Sequence, residues 1–475
     1  MNRFSVLLAT AIIACTIQLH AKHATSKTFF SIQPPYQVCS PERINTFLDD
    51  IITPEHKWHG SFHATLFGGK SSSKKDFAKY FLLDEKTCLR AAASGTESAL
   101  KDIQDILAGY FMTTNGQGGG DFESNISITP KHTFWGIGLT YKQKIWKKLW
   151  GEISLPIMHV ENKLNFCETI LHQHNGDPAD YTANNIESAL KQKNWCYSII
   201  DNCKKLSKSG VADIELILGY DTIKTNTYKL NFFGGITIPT GNKPKAIYVF
   251  EPIVGNNGHF AIFGGKKSAA MIWEKEETAI WGHSSIALKY LFGNTQKRSF
   301  DLRNKPWSRY IRLSTQSSEE TIFGVNQLTQ DLHVTPGFQG TLNLGLYLTH
   351  NHFDLDFGYN MFAKQQEITK LKNQWCSNLS IIGTNKDFSK NPATIKNWSE
   401  IDNDTNYITI KPCDLDLDSA AHPAYIAHKF YLTAGYNQTK NKFSWFGKLS
   451  GSYQFGTTNA TLNSWMLWGT LGISF

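Results

Sequence analysis

The most regular feature of the chain is alternation. From Ser464 to the last residue, Trp465, Leu467, Gly469, Leu471, Ile473 and Phe475 fall on one face of an extended backbone, and Ser464, Met466, Trp468, Thr470, Gly472 and Ser474 fall on the other. Successive side chains of a strand point to opposite sides, so this is a two-faced strand. The same period runs through Phe443, Trp445, Gly447, Leu449, Gly451, Tyr453 and Phe455, with a turn at 456–459 between the two segments. It recurs in Phe353, Leu355, Phe357, Tyr359 and Met361, in Leu342, Leu344, Leu346 and Leu348, in Trp135, Ile137, Leu139 and Tyr141, in Ile214, Leu216, Leu218 and Tyr220, and in Tyr228, Leu230, Phe232, Ile236 and Ile238.

Length says what such strands belong to. They run about 10 to 15 residues, where sheets in soluble domains average about five or six and about nine to eleven tilted residues cross a bilayer. Strands in lipid leave no backbone group unpaired only if the sheet closes. The pattern therefore predicts an all-β fold, a transmembrane antiparallel barrel of about 14 strands (12–16) over 122–475, counted from Ser124 to Phe475. The apolar face would meet lipid and the polar face a lumen. Trp146, Trp150, Trp281, Phe292, Tyr436, Phe443 and Phe455 stand at strand ends, where interfacial girdles belong. Short links are expected at about 146–149, 222–226, 266–268, 293–297, 350–352 and 437–441, with long outer loops at 163–211 and 366–427 among others. A secreted β-sandwich or solenoid with one wet face is the bland alternative.

The first residues form a different element. Arg3, an apolar run from Val6 to Ile17 and the small Ala21 make residues 1–21 an export signal. Cys15 after Ala14 leaves a lipoprotein signal as the second reading. Residues 22–121 are expected to form a partly helical N-terminal plug or periplasmic-side segment. Ser94 to Glu97 has the form of a capping box, followed at helical spacing by Leu100, Ile103, Leu107 and Phe111. The segment His59 to Phe67 is an alternative barrel strand.

Composition narrows the function classes. Mean hydropathy is −0.32, and past the signal no stretch approaches the roughly 18 apolar residues of a spanning helix. The 48 basic and 40 acidic residues, net +8, are interspersed without a basic stripe, so no nucleic-acid partner is expected. Export implies an oxidising compartment, which makes Cys39, Cys88, Cys167, Cys196, Cys203, Cys376 and Cys413 disulfide candidates, local within three groups, with one thiol left over. Neither His172 and His174 with the nearby cysteines nor His350 with His352 has a compact metal-ligand spacing, and no metal or other cofactor is expected.

Two short matches and one terminal residue carry a resemblance. Gly210-Val211-Ala212-Asp213 resembles the glycine-to-aspartate strand start of FadL-like outer-membrane transporters of fatty acids and aromatic hydrocarbons, and Ile238-Pro239-Thr240-Gly241 resembles the Leu-Pro-Thr-Gly turn of phenol-pathway outer-membrane proteins. Asn391-Pro392-Ala393 departs from that family, whose Asn-Pro-Ala motif lies in an N-terminal hatch. The terminal Phe475 is similar to the closing aromatic residue by which the barrel-assembly machinery reads bacterial outer-membrane proteins. The resemblance implies a barrel in the bacterial outer membrane, with lipid and that machinery as partners.

The chemistry legible in the sequence is that of a lining, not of turnover. His283 and Ser285 share one face of a strand, as in outer-membrane phospholipases, but here it is the inward face, and no enzyme is expected. Phase alone places Asp213, Glu215, Lys229, Lys289, Asp354, Asp356 and Lys448 toward the lumen. The expectation is a channel or transporter for passive uptake of small solutes, hydrophobic ones if the resemblance holds. The alternative is a surface adhesion or interaction protein anchored by its barrel.

Overall fold

The computed structural model describes residues 23–52, 59–92, 105–112, 122–174, 181–202, 204–315, 321–375, 378–381, 408–440 and 443–475. The export signal, Asn391 to Ala393, Cys203 and Cys376 lie outside them. Twelve long strands form the barrel: β1 (Gly60–Ser71), β2 (Lys131–Trp146), β3 (Leu149–Lys163), β4 (Ile214–Lys224), β5 (Tyr228–Ile238), β6 (Ala261–Lys275), β7 (Thr278–Leu291), β8 (Gly337–His350), β9 (Phe353–Lys364), β10 (Tyr425–Lys440), β11 (Phe443–Gly456) and β12 (Ser464–Ser474). Each pairs antiparallel with its neighbours in sequence, and β12 returns to β1 in a register running from Ser61 opposite Ser474 to Ser71 opposite Ser464. The sheet is closed and presents no open edge to lipid. One further strand, Leu206–Val211, lies along β3 beyond the end of β4.

Of the expected 12–16 strands the barrel has 12, not the central 14, and its first strand is Gly60–Ser71, the segment named as the alternative, rather than one beyond residue 122. Period two reports a two-faced strand without saying what it faces. Glu123–Ile128 and Thr329–Thr335 are two-faced strands of smaller sheets outside the barrel, paired there with Phe166–His172 and Asn294–Ser299. β1 hides its outward row, Phe62, Ala64, Leu66 and Gly68, behind two small residues. The short turns fall at 147–148, 225–227, 276–277 and 351–352, and the expected link at 437–441 lies partly outside the described residues, its first four residues belonging to β10. The expected link at 266–268 is instead the middle of β6, and 293–297 lies at the opposite end of the barrel.

The outward rows carry large exposed apolar side chains, among them Leu449, 70% exposed, Leu471, 69%, and Leu66, 65%. A band of this kind around a closed sheet is what hydrocarbon solvates. Two expected girdle residues are corrected: Trp150 and Trp281 point inward and are buried. Pro156 sits within β3 where its missing donor does least harm. Pairing with β4 ends at Ser154, pairing with Leu206–Val211 begins at Ile157, and the Pro156 carbonyl accepts from Ala212 N at 2.8 Å.

At the end opposite the turns, the long connections fold over the mouth. Their apolar residues share one core, including Phe30, Phe81, Leu89, Ile126, Phe300, Leu313 and Leu332, with the short helix α2 (Lys74–Phe81). The mouth is covered by a packed cap. The helix expected from Ser94 begins on 93–104, outside the described residues, and Ile106–Leu107 is extended, with a single helical turn at Gly109–Met112.

Candidate functional site: the strap and the lumen wall

The chain between Ala24 and Ile52 runs from the cap down through the barrel toward the turn end. Ala24 N donates to Asn459 Oδ1 at 2.8 Å and Tyr80 Oη to the Phe29 carbonyl at 2.6 Å, both in the cap. Farther down, Tyr36 Oη meets Thr140 Oγ1 on β2 at 2.9 Å, and Asn360 Nδ2 on β9 donates to the Cys39 carbonyl at 3.3 Å. The helix α1 (Pro41–Ile52) follows Ser40 with proline at its first position, whose fixed φ suits a helix start. Its Phe47 and Leu48 pack on the inward Trp281 and Tyr347 of β7 and β8. Among the described residues, what occupies the lumen is this strap with one helix. Residues 60–71 are wall, and those described between 72 and 130 belong to the cap.

Charge holds the strap to the wall. The Arg43 guanidinium donates to Glu152 on β3 through one amino group and to Glu215 on β4 through the other, with both partners buried. Glu215 also accepts Lys289 Nζ from β7 at 2.6 Å and Val38 N from the strap at 3.1 Å. On the far side, Lys429 of β10 donates to Glu42 at 2.9 Å. Adjacent strap residues of opposite sign thus meet opposite signs on opposed walls.

The charges selected by phase are placed as follows. Asp213 accepts the backbone and side-chain nitrogens of Asn256, each at 2.7 Å. Glu215 and Lys289 join the Arg43 cluster. Asp354 pairs with Lys448 at 3.1 Å, and Asp356 with His283 at 2.8 Å. Lys229, next to the buried Asn231, is half-buried. Arg43, Glu42, Glu152 and Lys429 were not singled out in the sequence. Glu152 and Lys429 carry the inward phase of Trp150, Ser154, Tyr431 and Thr433 and were findable by it. The strap residues had no such signal, because α1 is not two-faced with period two.

His283 and Ser285 both face inward and are buried, and the ring pairs with Asp356. The tetrapeptides Gly210–Asp213 and Ile238–Gly241 meet in space. Thr240 Oγ1 donates to the Ala212 carbonyl, and a Cβ on Gly241 would lie 1.9 Å from the Val254 carbonyl oxygen, two residues before Asn256 on Asp213. Phe475 N donates to the Gly60 carbonyl at 2.9 Å and its own carbonyl accepts Gly60 N at 2.8 Å, so the terminal residue completes the β1–β12 seam.

The disulfide expectation is corrected for the described cysteines. Cys39, Cys88, Cys167, Cys196 and Cys413 are free thiols. Cys39 is buried in the lumen and Cys88 is exposed on a cap sheet, so the two cannot meet. Among the described residues no cluster of histidine, cysteine and carboxylate side chains could hold a metal ion.

The space left around the strap is small. A cavity of about 50 Å³ lies between Ser31–Glu42 and inward residues including Phe134, Lys429 and Met466, and one of about 10 Å³ lies beside Ser31–Pro34. These volumes hold at most a few waters.

No family model and no curated protein matches the sequence. Solved barrels are similar to it: an outer-membrane channel of Pseudomonas putida F1, at 11% identity and a TM-score of 0.36 over 88% of this chain and 96% of that one; the P. putida toluene transporter TodX, at 6% and 0.35 over 96% and 98%; and a Pseudomonas aeruginosa FadL homologue, at 8% and 0.28 over 96% and 99%. At these scores no residue of those proteins maps onto this chain, and the barrel is defined by its own strand register.

Proposed function

We propose that the protein is a gated channel or transporter of the bacterial outer membrane, whose strap closes a charged passage for small solutes. The observation that supports this is the charged wall itself. A buried ion pair is a weak source of stability, because desolvation offsets much of the attraction, and apolar residues of the same volume often serve a permanent seal better. Glu152, Glu215, Lys289 and Lys429 make sense as wall groups that are hydrated when the strap moves aside and neutralised by Arg43 and Glu42 when it returns. The turn end, where Phe475 lies, would face the periplasm and present the terminal strand to the assembly machinery; the cap would face outward.

The test is planar-bilayer conductance of the refolded full-length protein beside an Glu42→Gln, Arg43→Gln double variant. Rare openings in the wild type and at least tenfold more frequent ones in the variant are expected. No conductance from either folded barrel would overturn the channel reading. It would favour the second one, a membrane anchor for a surface-interaction cap, which the covered mouth and shared cap core support.

A further inference from the structure

Resting on the channel reading, we propose that the seat of Arg43 is a recognition site for organic cations, so that the solutes passed are those bearing a guanidinium or primary ammonium group. The strap occupies the passage as a ligand would, and its side chain shows what the wall is built to take. The Arg43 guanidinium spans two buried carboxylates on neighbouring strands, Glu152 through one amino group and Glu215 through the other. A planar fork facing two carboxylates is the geometry that guanidinium fills better than a spherical ion. The Tyr36 ring lies 5.8 Å from the guanidinium carbon and adds an aromatic face to the seat.

Withdrawal of the strap leaves the two carboxylates unequal. Glu215 keeps Lys289 at 2.6 Å. Glu152 accepts from Arg43 through Oε1, while its Oε2 is buried without a hydrogen-bond partner. Lys267 and Lys142 act on Glu152 through their charge, so on the hydrated open wall the vacancy is for a cation that can hydrogen-bond both carboxylates as Arg43 does. Lys267, buried on β6 over the Phe233 ring, puts a further positive charge near Glu152 and restricts the preference to a small cation. Across the lumen, Lys429 loses Glu42 in the same movement and offers a place for an anionic group on the same solute.

The experiment compares two permeants of nearly the same shape, methylguanidinium and neutral methylurea, in proteoliposomes of the full chain. The Arg43→Gln variant, which no longer holds a cation between Glu152 and Glu215, is expected to pass methylguanidinium at least fivefold faster than methylurea. Glu152→Gln in that background should bring the ratio to about one. In the wild type, millimolar methylguanidinium should raise single-channel open probability severalfold over equal sodium, by competing with Arg43. Conductance from Arg43→Gln with equal passage of the two permeants would overturn this inference and leave the channel standing. If Arg43→Gln does not fold, the wild-type competition decides: an unchanged open probability overturns the inference. Closed barrels in every variant overturn the channel reading itself.

Discussion

Replacing Glu367 by glutamine isolates one buried charge in the cap. The carboxylate lies just past β9 and is fully buried, with Lys364 Nζ at 3.0 Å and Arg298 Nη2 at 3.4 Å, and it accepts the His422 backbone nitrogen at 3.1 Å. Burial alone would raise its pKa, but Lys364 and Arg298 outweigh that and hold the carboxyl well below the usual range. Arg298 is itself pulled down to about 10 by burial, which shows how much it depends on its neighbours. Its remaining partners are the Gln296 and Ala420 oxygens, at 2.6 to 3.0 Å, and the Phe29 ring. Glutamine keeps the volume and one acceptor but leaves two cations buried without an anion, a change that costs about 3–5 kcal/mol when a buried pair is broken. At about 1.4 kcal/mol per tenfold, the low end is a roughly 100-fold rise in the open population of the cap. The barrel should be untouched, because its closure rests on the β1–β12 ladder and not on this node. Limited proteolysis of the refolded protein in detergent would show faster cleavage in cap segments, while the heat-dependent gel shift of the barrel stays at the wild-type temperature. Equal protease resistance, within about threefold, would refute the claim that this ion cluster holds the cap, as would parallel loss of cap and barrel.

Acid should loosen the same region: burial pulls His259 down to about 4 and holds His422 well below its usual value, so folding favours the neutral rings. Stability from such groups is present above about pH 6.5 and is lost as pH falls toward the folded value. For His259 the loss is about 2 kcal/mol at pH 5, and cap proteolysis followed from pH 7.5 to 5 should accelerate less in His259→Gln than in the wild type. Gly219 faces the lumen under Trp150, and a Cβ there would lie 2.0 Å from the indole ring. Gly219→Ala should therefore destabilise the barrel by about 1–3 kcal/mol through overpacking, read as a lower temperature for the gel shift; an unchanged temperature would contradict the packing described. With no disulfide among the described cysteines, a maleimide should label Cys88 on the folded protein without reductant and reach Cys39 only after unfolding or in Arg43→Gln. Rapid labelling of Cys39 in the wild type would place the strap outside the lumen.

The sequence by itself determined that the chain makes long two-faced strands, apolar on one side, and which charges share the other side. Period two is a local property of the backbone, written wherever a strand has lipid or solvent on one face and protein on the other. Hence the terminal strand, the rows at Leu342–Leu348 and Phe353–Met361, and the inward phase of Glu215, Lys289, Asp354, Asp356 and Lys448 were legible. Tertiary structure decided which two-faced strands joined the barrel and which became cap sheets, because both give the same alternation. It also placed Gly60–Ser71 against the C-terminal strand across the whole sequence, and kept Cys39 and Cys88 apart. The strap lay beyond sequence reasoning for the same reason: Arg43 is one arginine at a helix start until the closed sheet brings Glu152 and Glu215, more than a hundred residues away, to either side of it.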